Sequence, residues 1–298
     1  MDDQHEAYAC PYFSSQILGP GFVARIEGLD LSRPLTPELF EHLNRALLRH
    51  KVLSFPGQDL SMEAQATFAR AFGELQVHVL NQFHHDARPE IITISNLDAE
   101  GRPKGEHPDP GACIWHTDGS WQAKPVLATC LFGLEVPPSG GDTLFADLQA
   151  AFSALPEAEK ARYRGLTAIH DLNRSRQLSG ARDQMTAEQK AKAPPVRQPL
   201  VRRHPESGAE GLYLGEHAHG IEGLPEAEAV ALIASINAHI TSAPFTHAYR
   251  WRKGDFVLWD NRAVLHKATL YDAARYARVL RRATTLGETA PGPAARVA

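Results

Sequence analysis

The chain has 298 residues, 43% apolar and 22% charged, with a net charge of −4, an ordinary balance for a soluble globular enzyme with a sizeable core. Lys and Arg are scattered rather than gathered into a stripe, so nucleic acid is not expected as a partner. No apolar run approaches the roughly 18–20 residues of a membrane span, so no membrane is expected either. The start, "MDDQHEAYAC", has no apolar h-region, and Cys10, Cys113 and Cys130 form no CxxC pair; a cytoplasmic, reducing location is the expectation.

In chain order, "FVARIEGLDL" reads as an early strand. "TPELFEHLNRALLRH" reads as a helix capped by Thr36, with Phe40, Leu43 and Leu47 at helical spacing. "VLSFPG" is a short buried strand stopped by Pro-Gly, and "SMEAQATFARAFGEL" a second helix starting near Ser61. Strand-like pieces follow: "IITIS", "CIWHTD", "LATCLFGLEV" and "DTLFADL". One helix is predicted over "LQAAFSALPEAEKARY". The polar segment from Arg174 to Pro195 reads as a mobile insertion, a candidate lid or simply a variable surface loop. "QPLVRRHPESGAEGLYLG" is a predicted hairpin. "LPEAEAVALIASINAHIT" is a helix with Val230, Ile233, Asn237 and Ile240 on one side. "THAYRWRKGDFVLWDN" is a second predicted hairpin turning at Lys253-Gly254-Asp255; "AVLHKA" and "YARVLRRATTL" are the last strands. No repeat or linker divides the chain. One domain is expected over 1–298, its core near 22–287 and a frayed tail at 288–298, with many short strands in a jelly roll or barrel clad by helices.

In "IWHTDGSW", His116 and Asp118 stand two apart, so on a strand they share a face. The plain reading is a surface pair. The sharper one is two arms of a metal site, with His266 of "LWDNRAVLHKA" as third ligand. Two histidines and a carboxylate on one face of an ion leave positions open for other ligands, as in non-haem Fe(II) oxygenases. A cupin-type hydrolase or isomerase holding Zn²⁺ or Mn²⁺ uses the same residues, and spacing leaves both open.

The blocks "WHTD", "GGDTLFAD", "LYLGEHA", "WRKGDFVLWDNRAVLHKA" and "RYARVLRRATTLGE", in that order, resemble the Fe(II)/2-oxoglutarate-dependent dioxygenases of the taurine dioxygenase and 2,4-dichlorophenoxyacetate dioxygenase family, over about Phe22 to Gly287. The resemblance implies an α+β fold with a double-stranded β-helix core flanked by helices. It implies that His116, Asp118 and His266 hold Fe(II), that O₂ is a co-substrate, and that 2-oxoglutarate leaves as succinate and CO₂ while a substrate C–H is hydroxylated. It places Arg278 and Thr143 on the far carboxylate of 2-oxoglutarate, a task suited to a guanidinium fork. It places Arg282 and His78 on an anionic organic substrate, with Asn81 and Lys104 nearby. Asn81 and Ala112 stand where taurine dioxygenase has tyrosine and asparagine, which turns the expectation from taurine towards a small carboxylate, aryloxyalkanoates with ether cleavage included, with Trp121 or Phe83 as stacking surfaces. A dimer or tetramer is usual in the family. His84, His85, His107, His170, His204, His239 and His247 read as loop, helix or surface residues, and His217 and His219 as a rim pair without a third partner. Cys113 reads as packed inside.

Overall fold

The computed structural model describes residues 7–80, 84–85, 88–107, 110–124, 126–179 and 184–288. Its organising strand is Phe256–Asp260, buried at all five positions. It is apolar without alternation up to Trp259, as a strand covered on both faces must be. It pairs antiparallel with Val52–Phe55 on one side and Val126–Glu135 on the other. The sheet continues through Val279–Leu286 and Arg88–Ser95 at one flank, and through Val23–Glu27 and Ser14–Leu18 at the other.

Alternation assigns the two faces of this sheet. Phe256 and Leu258 enter the apolar cluster beneath the helices Pro37–His50 and Met62–Arg70, whose first turns are capped by Thr36 and Ser61 as their sequences require. Val257 and Trp259 point the other way, into a cluster shared with Phe145 and Val264. Those two belong to a second sheet of Thr246–Tyr249, Thr143–Asp147 and Val264–Ala268. The two sheets face each other as the jelly-roll core. The outer side of the second sheet is covered by helices Leu148–Ser153, Glu157–Arg164 and Glu226–Ile240 through Ala146, Leu148, Leu265 and Ile233. A buried ion pair ties the halves: Lys51 Nζ donates to Asp147 Oδ2 at 2.6 Å, while Asp147 Oδ1 caps the Leu148–Ser153 helix.

Several expectations need correction. The single helix over 148–163 is two, because Pro156 has no N–H to continue the first. Thr246–Tyr249 and Phe256–Asp260 are not a hairpin but lie in different sheets. Asp255 Oδ2 accepts from both Tyr249 Oη and the Arg252 N–H at 2.8 Å and turns the chain from one sheet to the other. "CIWHTD" is not a strand: Pro110–Cys113 is a single 3₁₀ turn and His116 makes one isolated bridge. The Glu226–Ile240 helix buries Ala229, Ile233, Ile236 and Ile240 and exposes Val230; it is apolar nearly all round, so spacing could not select its face. His170 and His204 are buried rather than superficial, and Cys113 is only partly buried. The segment from Arg174 to Pro195 includes the end of helix Leu172–Leu178 and helix Ala187–Lys192. Leu172, Met185 and Ala193 bury themselves against Leu80 and Trp121. Asn81, Phe83 and the tail from residue 289 lie outside the described residues.

Candidate active site

His266 lies two residues beyond Val264 on one strand, so its ring enters the same space between the sheets. The loop bearing His116 is stitched to it: His116 N–H donates to the His266 carbonyl at 3.0 Å and His266 N–H to the His116 carbonyl at 2.7 Å. The two rings therefore lie side by side, with centroids 4.3 Å apart. Asp118, in the turn that follows, places Oδ1 4.0 Å from His116 Nε2 and Oδ2 3.8 Å from His266 Nε2. One atom from each residue lies within 4.8 Å of the other two, in the one such cluster among the described residues. His116 Nδ1 is 2.7 Å from the Ile114 carbonyl, which can only accept; the ring proton is therefore on Nδ1 and Nε2 offers its lone pair to the centre. Gly215 packs on the His116 backbone, where a Cβ would stand 3.3 Å from His116 Cα, and its φ of +117° favours glycine.

The charges are arranged for a cation. Burial pushes the Asp118 carboxyl up, but Arg282, the two imidazoles and the Thr129 hydroxyl outweigh it and hold the group well below the usual carboxylate range. Burial, with His116 beside it, lowers His266 to about 3, so its imidazole is neutral and able to ligate.

Two arginines reach the same cavity, Arg282 from the strand Val279–Leu286 and Arg278 from the residue just before it. Leu280 faces the interior, so Arg278 and Arg282 flank it on that face, while Arg281 turns to the helix side, over the Phe132 ring and onto the Leu60 carbonyl. Arg278 is 3% exposed and its Nε donates to the Gly141 carbonyl at 3.1 Å. It has no ion-pair partner among the described residues, and burial lowers its pKa. A buried guanidinium in that position calls for an anion. Thr143 lies beside it in the cavity wall. Its Oγ1 accepts from Trp251 Nε1 at 3.0 Å, which leaves the hydroxyl proton free to be donated. Arg282 Nη1 stands 3.5 Å from Asp118 Oδ1.

A single cavity of about 380 Å³ runs from Arg278 and Thr143, past His116, Asp118 and His266, to Arg282, His78 and Trp121. His78 lines it, edge-on to Trp121 at 5.6 Å between ring centroids, and Lys104 sits exposed at its rim. Ser175 and Arg176 of the Leu172–Leu178 helix are among the cavity residues that sequence did not assign there; His217, read as a rim residue, lines it 5.8 Å from the His116 ring. His217 Nδ1 meets Ser175 Oγ at 2.7 Å, and burial, with His116 and His170 adding, keeps the ring neutral. The H-x-H spacing marked His217, but only the fold supplies its neighbours.

The profile of the family described as "Taurine catabolism dioxygenase TauD, TfdA family" matches residues 14–284. The chain belongs to this family. An alpha-ketoglutarate-dependent 2,4-dichlorophenoxyacetate dioxygenase of Cupriavidus pinatubonensis is 39% identical over 279 residues, 91% of this chain and 96% of the relative. An (S)-phenoxypropionate/alpha-ketoglutarate-dioxygenase of Delftia acidovorans is 36% identical over 249 residues, 78% of this chain and 82% of the relative. The crystal structure of AAD-2 in complex with Mn(II) and N-oxalylglycine superposes with a TM-score of 0.77 at 33% identity, over 93% of this chain and 99% of that one. This TauD/TfdA chain is thus a 2-oxoglutarate-dependent dioxygenase that uses Fe(II) and O₂. Two imidazoles and a carboxylate are a donor set that suits Fe(II), and the buried Arg278 beside Thr143 suits a co-substrate carboxylate.

Proposed function

We propose that the enzyme hydroxylates a C–H of an aryloxyalkanoate or closely similar small carboxylate, with cleavage of the ether where the attacked carbon carries the aryloxy oxygen. The observation behind this is the pair of cationic poles in one cavity, Arg278 with Thr143 on one side of the His116, Asp118 and His266 cluster and Arg282 on the other. One pole serves each of two anions, the co-substrate and the substrate. A hydrolase with the same three ligands has no use for the buried Arg278.

His116, Asp118 and His266 would hold the iron, which supplies the oxidation: O₂ takes 2-oxoglutarate to succinate and CO₂ and delivers the second oxygen atom to the substrate. The protein's own tasks are position and exclusion of water. Arg278 and Thr143 anchor the far carboxylate of 2-oxoglutarate. Arg282 and His78, with Lys104 reaching in from the rim beside Asn96, hold the substrate anion; Asn81 completes that set in sequence. Leu80, Trp121 and Leu172 give this end apolar walls for an aryl ring. Met185 and Ala193 pack against Leu80 and Trp121 at that end. A hydroxyl placed on the carbon bearing the ether oxygen makes a hemiacetal, which collapses to a phenol and a carbonyl compound. A cytoplasmic homo-oligomer, dimer or tetramer, completes the reading, checked by sedimentation and fractionation.

Phenol release and succinate formation are the test, with 2,4-dichlorophenoxyacetate, both enantiomers of a 2-phenoxypropionate, a simple alkyl carboxylate and an alkyl sulfate, each with Fe(II) and 2-oxoglutarate. Equimolar phenol and succinate from an aryloxy acid is the expected result. Turnover of the sulfate alone would overturn the substrate class while leaving the reaction type intact.

A further inference from the structure

Behind Asp118 lies a polar chain through Thr129 and Asn261, neither of which lines the cavity. Thr129 Oγ1 is 2.6 Å from Asp118 Oδ2, and Asn261 Nδ2 is 2.9 Å from Thr129 Oγ1. Asn261 Oδ1 is in turn 3.2 Å from the Asp118 N–H and 2.9 Å from Trp259 Nε1. Thr117 Oγ1 donates to the Asn261 carbonyl at 2.6 Å, holding the two turns together. Thr117, Thr129 and Asn261 are all fully buried.

Every proton in this chain has one possible place. The Asp118 amide and the Trp259 indole can only donate, so the Asn261 atom facing both must be its oxygen. Its NH₂ then faces Thr129 and donates to it. Thr129 has one hydroxyl proton, and the ionised Asp118 can only accept, so that proton goes to Oδ2. Direction thus runs from Asn261 through Thr129 to one oxygen of Asp118, the same residue whose backbone N–H is held by the other end of the Asn261 amide. Asp118 is gripped at two points by one side chain.

We propose that Asn261 is a positioning residue for the metal carboxylate. Acting through Thr129, it fixes the Asp118 rotamer and keeps Oδ2 engaged, so that Oδ1 is the oxygen presented to the ion. This rests on the reading of His116, Asp118 and His266 as the metal site. In "VLWDNRAVLH" the asparagine lies five residues before His266, and the same short segment thus carries one ligand and the support of another.

The test is Mn(II) affinity, read from the electron paramagnetic resonance of free Mn(II), alongside thermal unfolding of the metal-free protein. Thr129→Val keeps the shape and removes the hydroxyl; it is expected to weaken Mn(II) binding by about 10–100-fold, the usual consequence of losing an outer partner of a ligand, with metal-free unfolding little changed. Thr129→Ser is expected to restore affinity. Asn261→Ala is expected to weaken binding at least as much, because it also frees the Asp118 N–H, and combined with Thr129→Val to weaken it by less than the two separate losses together, because the path through Thr129 is shared. Wild-type affinity in Thr129→Val would overturn the proposal, as would full additivity in the double variant. Should Asn261→Ala not fold, Thr129→Val and Thr129→Ser decide alone. Failure of the wild type to bind Mn(II) at all would instead overturn the metal reading on which the proposal rests.

Discussion

The two ends of the cavity are built from different materials. At the Arg278 end the side chains come from or border paired strands: Thr143 opens one strand of the second sheet, Arg278 leads into Val279–Leu286, and Trp251 braces Thr143. At the Arg282 end the strand contributes Arg282, and the rest comes from the irregular chain at His78 and from the Leu172–Leu178 helix. The contrast fits the chemistry. On the proposed reading, one end would serve an unvarying co-substrate and belongs on a rigid scaffold; the other would set substrate choice and sits where loops can vary without disturbing the core.

The largest expected effect strikes the boundary between the two ends. Asp118→Ala or His266→Ala should abolish turnover and Mn(II) binding together, and residual turnover above about one per cent of wild type would break the assignment. Next come the two poles. Arg278→Gln should raise the KM for 2-oxoglutarate by about 10–100-fold, matching the roughly 1.5–3 kcal/mol of a charged hydrogen bond, while Arg282→Gln should raise the KM for the organic substrate instead. Both parameters moving equally in both variants would erase the distinction. The rigidity of the two-sheet scaffold is open to test at Lys51, whose ammonium is buried against Asp147. Lys51→Met leaves that carboxylate uncompensated, and urea unfolding should register a loss of about 3–5 kcal/mol.

The smallest effect concerns a buried histidine outside the cavity, His170. Burial, with His219 and Arg202 adding, lowers His170 to about 3, and it titrates near 6.5 when unfolded. Below pH 6.5 the unfolded chain takes up a proton that the folded chain refuses, so stability must fall as pH falls from about 6.5 towards 3. The buried carboxylates Asp118 and Asp260, whose pKa values are lowered, lose their stabilising contribution only below the ordinary carboxylate range. Comparing urea midpoints at pH 7.5 and pH 5 therefore isolates the histidines. His170→Leu should reduce that difference, and an unchanged difference would show that His170 is solvated or protonated in the folded state.

How much of this was legible in the sequence varies with the range of the interaction. Capped helices are local, and Thr36 and Ser61 were found where they act. His116, Asp118, His266, Thr143, Arg278, Arg282, His78 and Lys104 do converge on one cavity, although Asp118 and His116 share a centre for a different reason than a common strand face. A reciprocal backbone bridge to His266 brings them there. Asn261, Thr129 and Ser175 carried no signal of their own. They are common residues in apolar or polar runs, and each gains a role only from a partner far along the chain.

Sequence by itself determined which residues bring charge, imidazole and apolar surface, and which short runs are strands or helices, because alternation, helical spacing and capping act between neighbours. It also carried the ordered blocks that mark the family. Tertiary structure decided which strands pair, that Thr246–Tyr249 and Phe256–Asp260 part into different sheets, which of Arg281 and Arg282 faces the cavity, and what stands behind Asp118. Those outcomes depend on non-local packing and on where buried donors find acceptors, and a buried polar group takes its partner from the whole fold rather than from its neighbours in the chain.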